Sequence, residues 1–161
     1  LRGLVGSEMC IRDRWYGELQ SVGDDEVMGR DYWQQMMAVR TAVNREMETL
    51  RAAGELRGSL DAEVSLFAEP ALYARLDALG DELRFVLITS GARISPLTEA
   101  TAEATATDVP GLSLTVCASS AEKCERCWHR RQEVGQIEAH PTLCERCVEN
   151  VYGDGEHRRF A

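Results

Sequence analysis

Cys124-Glu125-Arg126-Cys127, answered after residues 128–143 by Cys144-Glu145-Arg146-Cys147, is the stretch on which the reading of this chain turns. Each C-x2-C pair is a turn that aims two sulfurs at one point. The spacer is long enough to run out and return, so that the second pair completes a tetrahedron. Four thiolates leave no coordination position open, so the metal expected is one structural Zn2+ rather than a catalytic one. Two local disulfides would need an oxidising compartment, and no stretch of the chain reads as a signal peptide. A redox-active C-x-x-C comes singly and near a βαβ pattern, whereas here one form, C-E-R-C, occurs twice. The alternatives to a zinc site made of Cys124, Cys127, Cys144 and Cys147 are an iron–sulfur cluster, no metal, or a Cys3His variant using His129.

The 161 residues amount to one domain, or one domain with a small appendage. Hydrophobic residues make up 44%, yet no run approaches the roughly 18 consecutive apolar residues of a membrane span. Six cysteines without a secretory signal point to a reducing, cytoplasmic setting, with Cys10 and Cys117 left as spare thiols. A net charge of −9 argues against a general nucleic-acid binder, because non-specific affinity comes mainly from Lys and Arg neutralising phosphates. The deficit is uneven. From residue 123 onward Lys123, Arg126, Arg130, Arg131, Arg146, Arg158 and Arg159 balance the acidic residues, so the net charge lies before the cysteine segment. An anionic partner is therefore expected at the C-terminal end.

Residues 1–14 fit no helical or strand period and resemble an adapter-derived translation artefact, the alternative being a disordered lead. The chain also begins without Met, which agrees with a truncated reading frame. From residue 31 to 53, Trp33, Met36, Met37, Val43, Met47 and Leu50 recur at three- and four-residue steps. They predict an amphipathic helix with Asp31 as N-cap and Gly54 as its stop. Its apolar stripe reads as core packing in preference to a binding groove, and Arg40, Asn44, Arg45 and Arg51 read as a wet face or as contacts to an anionic partner. Leu60, Ala62, Val64 and Leu66 alternate with polar residues as a half-buried strand. Pro70 opens a short helix carrying Leu72, Leu76 and Leu79 and closed by Gly80. The run 83–88 is read as a helix ending near Ser90-Gly91, Ile94 begins a second extended piece, and residues 98–111 have loop composition. Leu112, Leu114 and Val116 make a third strand leading into the first cysteine pair. The expected fold class is α+β: a small mixed unit on the end of a helical bundle.

The cysteine segment continues as Trp128-His129, Glu133-Val134-Gly135 and, at the end, Gly153-Asp154-Gly155-Glu156-His157-Arg158-Arg159-Phe160-Ala161. With Gly58-Ser59-Leu60-Asp61-Ala62-Glu63-Val64, Ala68-Glu69-Pro70, residues 79–87 and Arg40-Thr41-Ala42-Val43-Asn44, this ordered series resembles the C-terminal end of bacterial isoleucyl-tRNA synthetases. The resemblance is collinear over residues 15–161. It implies the end of an anticodon-binding helical domain at 15–54, a small α/β junction unit at 55–117 and a zinc-binding C-terminal segment at 118–161. It also implies that the four cysteines are the zinc ligands.

What the resemblance implies about activity belongs to a longer parent, cytoplasmic and monomeric, that activates isoleucine with ATP and charges the isoleucine tRNA. Isoleucine and valine differ by one methylene, worth only about 1–3 kcal/mol in an apolar pocket, so such an enzyme needs a second hydrolytic sieve. Neither HIGH-like nor KMSKS-like motifs nor an editing domain occur in these residues, so this stretch alone is not expected to be catalytic or to bind ATP. Its expected partners are the isoleucine tRNA and the rest of the synthetase chain, with no membrane. Stacking planes and positive charge near unpaired bases suit that task, and Arg126, Trp128, His129, Arg130, Arg131 and Arg146 are the candidates. Competing readings stay open for each. Trp128 stacks on RNA or packs over the metal knot, Arg130 and Arg131 touch RNA or face water, and Arg126 and Arg146 meet phosphate or offset the thiolate charge. A free-standing zinc ribbon binding nucleic acid, and the zinc finger of a formamidopyrimidine-type DNA glycosylase, are the alternative functions.

Overall fold

The computed structural model describes residues 28–160. The stretch 1–14 and Cys10, singled out above, lie outside the described residues. Helix α1 spans Arg30–Ala52. It ends as the sequence requires: Gly54 takes φ +77°, the Gly54 N–H donates to the Arg51 carbonyl at 3.0 Å, and the Glu55 N–H donates to the Leu50 carbonyl at 2.9 Å. That is a Schellman closure, whose left-handed position glycine takes without a Cβ clash. The start differs from expectation. Gly29 is the N-cap and Asp31 lies inside the first turn, where its charge still favours the positive end of the helix dipole.

The buried stripe of α1 is Tyr32, Met36, Val39, Val43 and Met47. Met37 is 43% exposed and Trp33 and Leu50 are only half-buried, so the predicted stripe was rotated away from the true one. Tyr32 and Val39 complete the 3.6-residue period through Met36 and Val43, which Met37 leaves by a full residue's rotation. Tyr32 is the anchor: its hydroxyl donates to the Arg75 carbonyl at 2.9 Å. On the outer face Arg45 pairs with Asp108 and Arg51 with Glu48, all exposed.

Four strands form one mixed sheet in the order β2-β1-β4-β3. They are β1 (Ala62–Ala68), β2 (Gly91–Pro96), β3 (Thr105–Ala106) and β4 (Leu112–Ala118). β1 runs parallel to β2, with Leu66 opposite Ile94, and antiparallel to β4, with Leu66 opposite Leu114. A parallel pair needs a crossover, here supplied by α2 (Pro70–Asp77) and α3 (Leu83–Leu87). Pro70 stands in the first turn of α2, as predicted. Leu60, expected in the strand, lies instead in a 3-10 turn over Ser59–Asp61 that precedes it. The loop-like residues 98–111 contain β3, a two-residue strand paired only with β4. Helix α3 stops earlier than expected, because Ile88 turns to φ +58° and the Ser90 N–H reaches the Ala62 carbonyl.

One core joins these elements: Tyr32, Val43, Val64, Leu66, Leu76, Leu83, Leu87 and Leu114 are all essentially excluded from water. A second, smaller cluster consists of Cys124, Val134, Cys144 and Cys147, with Cys127 and Leu143 against it. The architecture is mixed α/β with a separate cysteine knot that follows β4. No helix among the described residues is long and apolar enough to cross a membrane.

Candidate metal centre

The two cysteine pairs reach their common point by different local means. The first is a tight hairpin. Lys123 and Arg130 form a bridge, the Cys124 N–H donates to the His129 carbonyl at 2.9 Å, and the Trp128 N–H donates to the Cys124 carbonyl at 2.9 Å. Closing so short a loop puts Trp128 at φ +67°. The second pair is a helix start: Cys144 is the N-cap of α4 (Glu145–Tyr152), and Cys147 lies in its first turn. The pairs are tied by the Glu125 N–H to the Thr142 carbonyl at 3.1 Å and by the Cys144 N–H to the Cys124 sulfur at 3.4 Å.

All four sulfurs lie within 4.8 Å of one another, and Cys127 Sγ is 3.6 Å from Cys144 Sγ. A tetrahedron with Zn–S bonds of about 2.3 Å separates its sulfurs by about 3.8 Å, so this donor set fits a four-thiolate structural zinc. Each of the four cysteines is free of disulfides, as is Cys117, which lies exposed on β4. The Cys127 and Cys144 sulfurs share one hydrogen bond in which either can donate, and that bond lowers the pKa of Cys127 while it and burial raise that of Cys144. A bound cation favours the thiolate at every ligand position.

The other residues picked from the sequence fall into two groups. Trp128 is 60% exposed and does not roof the knot, and the Lys123 ammonium sits 5.5 Å from its ring centre. Arg126 is also exposed and donates to the Cys147 sulfur at 3.5 Å, the chief reason its pKa is raised. The remaining four turn toward protein. His129 is buried, with Nδ1 3.2 Å from the Cys127 carbonyl oxygen and its ring edge-on to Phe85 at 6.0 Å, and it is not among the grouped ligands. Arg130 Nε donates to Asp61 Oδ1 at 2.6 Å, Arg130 Nη1 to the Ala121 carbonyl at 3.0 Å, and its N–H to Ser90 Oγ at 2.6 Å. Arg131 Nε pairs with Glu133 at 3.0 Å, and Arg146 Nη1 with Glu156 at 3.0 Å.

Sequence reasoning missed Asp61, Ser90 and Phe85, which fix the knot to the α/β unit. The Phe85 ring lies under three guanidinium groups, those of Arg84 at 4.5 Å, Arg146 at 5.2 Å and Arg158 at 4.2 Å. Nothing local marks these residues, since their partners in the cysteine segment lie 40 or more positions away.

Comparison with known proteins places this geometry. Residues 121–150 match the family described as "Zinc finger found in FPG and IleRS". Over 147 residues the chain is 56% identical to the isoleucine–tRNA ligases of Shewanella sp. (strain W3-18-1) and Shewanella putrefaciens (strain CN-32), and 54% identical to that of Shewanella sp. (strain ANA-3). The match takes in 91% of this chain and 16% of each relative, so the chain spans about a sixth of the length of the curated relatives it matches.

Proposed function

We propose that this chain, similar over nine tenths of its length to isoleucine–tRNA ligases, is the C-terminal zinc-bearing part of such an aminoacyl-tRNA synthetase and helps to hold the isoleucine tRNA. The observation that carries the reading is the extent of the identity. The finger family alone takes in FPG as well as IleRS, but 147 residues at 56% identity run far beyond residues 121–150. This favours the ligase over both a free-standing ribbon and a glycosylase finger.

In this reading Cys124, Cys127, Cys144 and Cys147 hold one zinc, which sets the shape of the knot and takes no part in chemistry. Activation of isoleucine with ATP and transfer to the tRNA belong to the rest of the cytoplasmic ligase chain. Helix α1 is the end of the anticodon-binding helices, and the sheet is the junction to the zinc segment. Among the six RNA candidates, exposure favours Arg126 and Trp128, with Lys123 joining them. An indole held outward by a left-handed turn, with a cation on its ring, is suited to stack an unpaired base. Arg130, Arg131, Arg146 and His129 serve instead to orient that surface.

The test is zinc content of the purified chain, followed on the same sample by titration with isoleucine tRNA and a non-cognate tRNA at one fixed salt concentration, because phosphate contacts make such affinities salt-dependent. One zinc per chain with a preference for the cognate tRNA is the expected result. One zinc with no preference would overturn an independent part in tRNA recognition, and absence of zinc would overturn the ligand set.

A further inference from the structure

Each C-E-R-C turn carries an arginine between its cysteines. Arg126 of the first donates to the Cys147 sulfur of the second at 3.5 Å, whereas Arg146 of the second, in the helical turn between Cys144 and Cys147, lies over Phe85 and pairs with Glu156. A zinc held by four thiolates is a net anion, and two guanidinium groups neutralise it. The two are held differently, however. Arg126 lies open to solvent, whereas the Arg146 side chain is only 17% exposed, lying over Phe85 and paired with Glu156.

Glu156 belongs to the segment 153–160, which crosses from α4 back to the α/β unit. At its near end the Glu156 N–H donates to Asn150 Oδ1 at 3.1 Å, while its carboxylate accepts from both Arg146 and Arg158. At its far end the Arg159 and Phe160 N–H groups donate to the two oxygens of Glu82 at 2.6 and 2.7 Å, and Phe160 packs against the main core. The segment is thus anchored on the sheet unit at one end and on the arginine beside the metal ligands at the other.

We infer that segment 153–160 is a metal-retention strap, which through the Glu156–Arg146 pair ties the helical cysteine turn to the α/β unit and so slows departure of the zinc. This rests on the reading that the four cysteines bind zinc. Arg146 is then a positioning residue for the metal centre and not an RNA contact. The strap opposes the motion by which the helical turn Cys144–Cys147 would swing from the hairpin, and it does so with charge-assisted hydrogen bonds in a largely enclosed place.

The experiment is release of zinc from the loaded chain into an excess of a chromogenic chelator, followed by absorbance. Variants are Glu156→Gln, which keeps shape and removes charge, and Asn150→Ala, which removes the acceptor for the Glu156 amide. Leu66→Ala serves as a control that loosens the sheet core alone. Glu156→Gln is expected to release zinc about 10-fold faster at unchanged stoichiometry, within the range seen when groups that orient metal ligands are lost. Asn150→Ala is expected to act in the same direction, and Leu66→Ala to have a smaller effect. Wild-type rates in both strap variants, or a rate that follows global stability so that Leu66→Ala is fastest, would overturn the inference. Less than one zinc per wild-type chain would instead bring down the underlying metal reading, and the strap with it.

Discussion

Replacing Arg130 by Ala separates the two roles that a sequence of the form Trp-His-Arg-Arg leaves open. The guanidinium joins Asp61 at 2.6 Å and the Ala121 carbonyl at 3.0 Å, and the Arg130 and Asp61 side chains are 28% and 18% exposed. Truncation deprives a mostly enclosed carboxylate of its charged donor and a carbonyl of its N–H. Losing hydrogen bonds to a charged partner costs about 1.5–3 kcal/mol each in buried settings, and partial exposure of the pair brings the expected total for both bonds down to about 2 kcal/mol. With a urea m-value of about 2 kcal/mol/M, the unfolding midpoint of zinc-loaded chain should fall by about 1 M. A cycle with Asp61→Asn should show most of that loss shared between the two residues. In the same samples the salt dependence of tRNA binding should keep its wild-type slope. If stability changes by less than about 0.5 kcal/mol while the salt slope drops by about one unit, Arg130 is a phosphate contact and the clamp reasoning is wrong.

Three further outcomes follow from the same geometry. Leu66→Ala, at the fully buried centre of β1, should cost about 2–5 kcal/mol in a denaturant melt while leaving one zinc per chain, and a variant that lost its metal would show that the knot does not stand apart from the sheet core. Trp128→Ala, at a 60% exposed position, should change stability by less than about 0.5 kcal/mol yet weaken tRNA binding by about 1–3 kcal/mol, and equal affinity for both proteins would remove the stacking role. Burial by itself would raise the pKa of Glu156, but hydrogen bonds with Arg158 and Asn150 and the charges of Arg146 and Arg158 outweigh it and hold the carboxyl below its ordinary range. A depressed carboxylate contributes its stability above the unfolded value of about 4.3 and loses it as pH falls through the folded value. The strap should therefore stay ionised from pH 8 to about 5, with metal loss in that window coming from cysteine protonation, and an NMR titration of the Glu156 carboxyl with an inflection above about 5 would contradict this.

What could be read from the sequence was what is encoded locally. The C-x2-C pairs, the Gly54 closure, Pro70 at the start of α2 and the alternation Ala62, Val64, Leu66 each depend on residues within a few positions of one another. The misplacements have a common cause. Met37 looks as apolar as Met36, and only the sheet against which α1 lies decides that Tyr32 and Val39 turn inward. β3 has no pattern of its own, because Thr105 and Ala106 are extended only through pairing with Leu114 and Ser113. Asp61 and Arg130, or Glu82 and Phe160, meet across 69 and 78 positions, and no periodicity carries that information.

The repeated C-E-R-C shows most directly how identical letters acquire different work. In the hairpin, Cys124 and Cys127 flank a loop whose outer side is water, so Arg126 has solvent on one flank and a sulfur on the other. In the second copy Cys144 caps a helix, and the helical turn carries Arg146 inward over Phe85, where water is largely absent and Glu156 supplies the counter-charge. Solvent exposure gives the first arginine freedom to meet an anionic partner, at little cost to the knot if it is removed. Enclosure denies the second that freedom and makes it a hinge pin between metal turn, α3 and the strap. Substituting Ala for each in turn should therefore divide the effects: Arg126 governs affinity for RNA and Arg146 the lifetime of the metal. The difference arises entirely from whether the turn is closed by a hairpin or opens a helix.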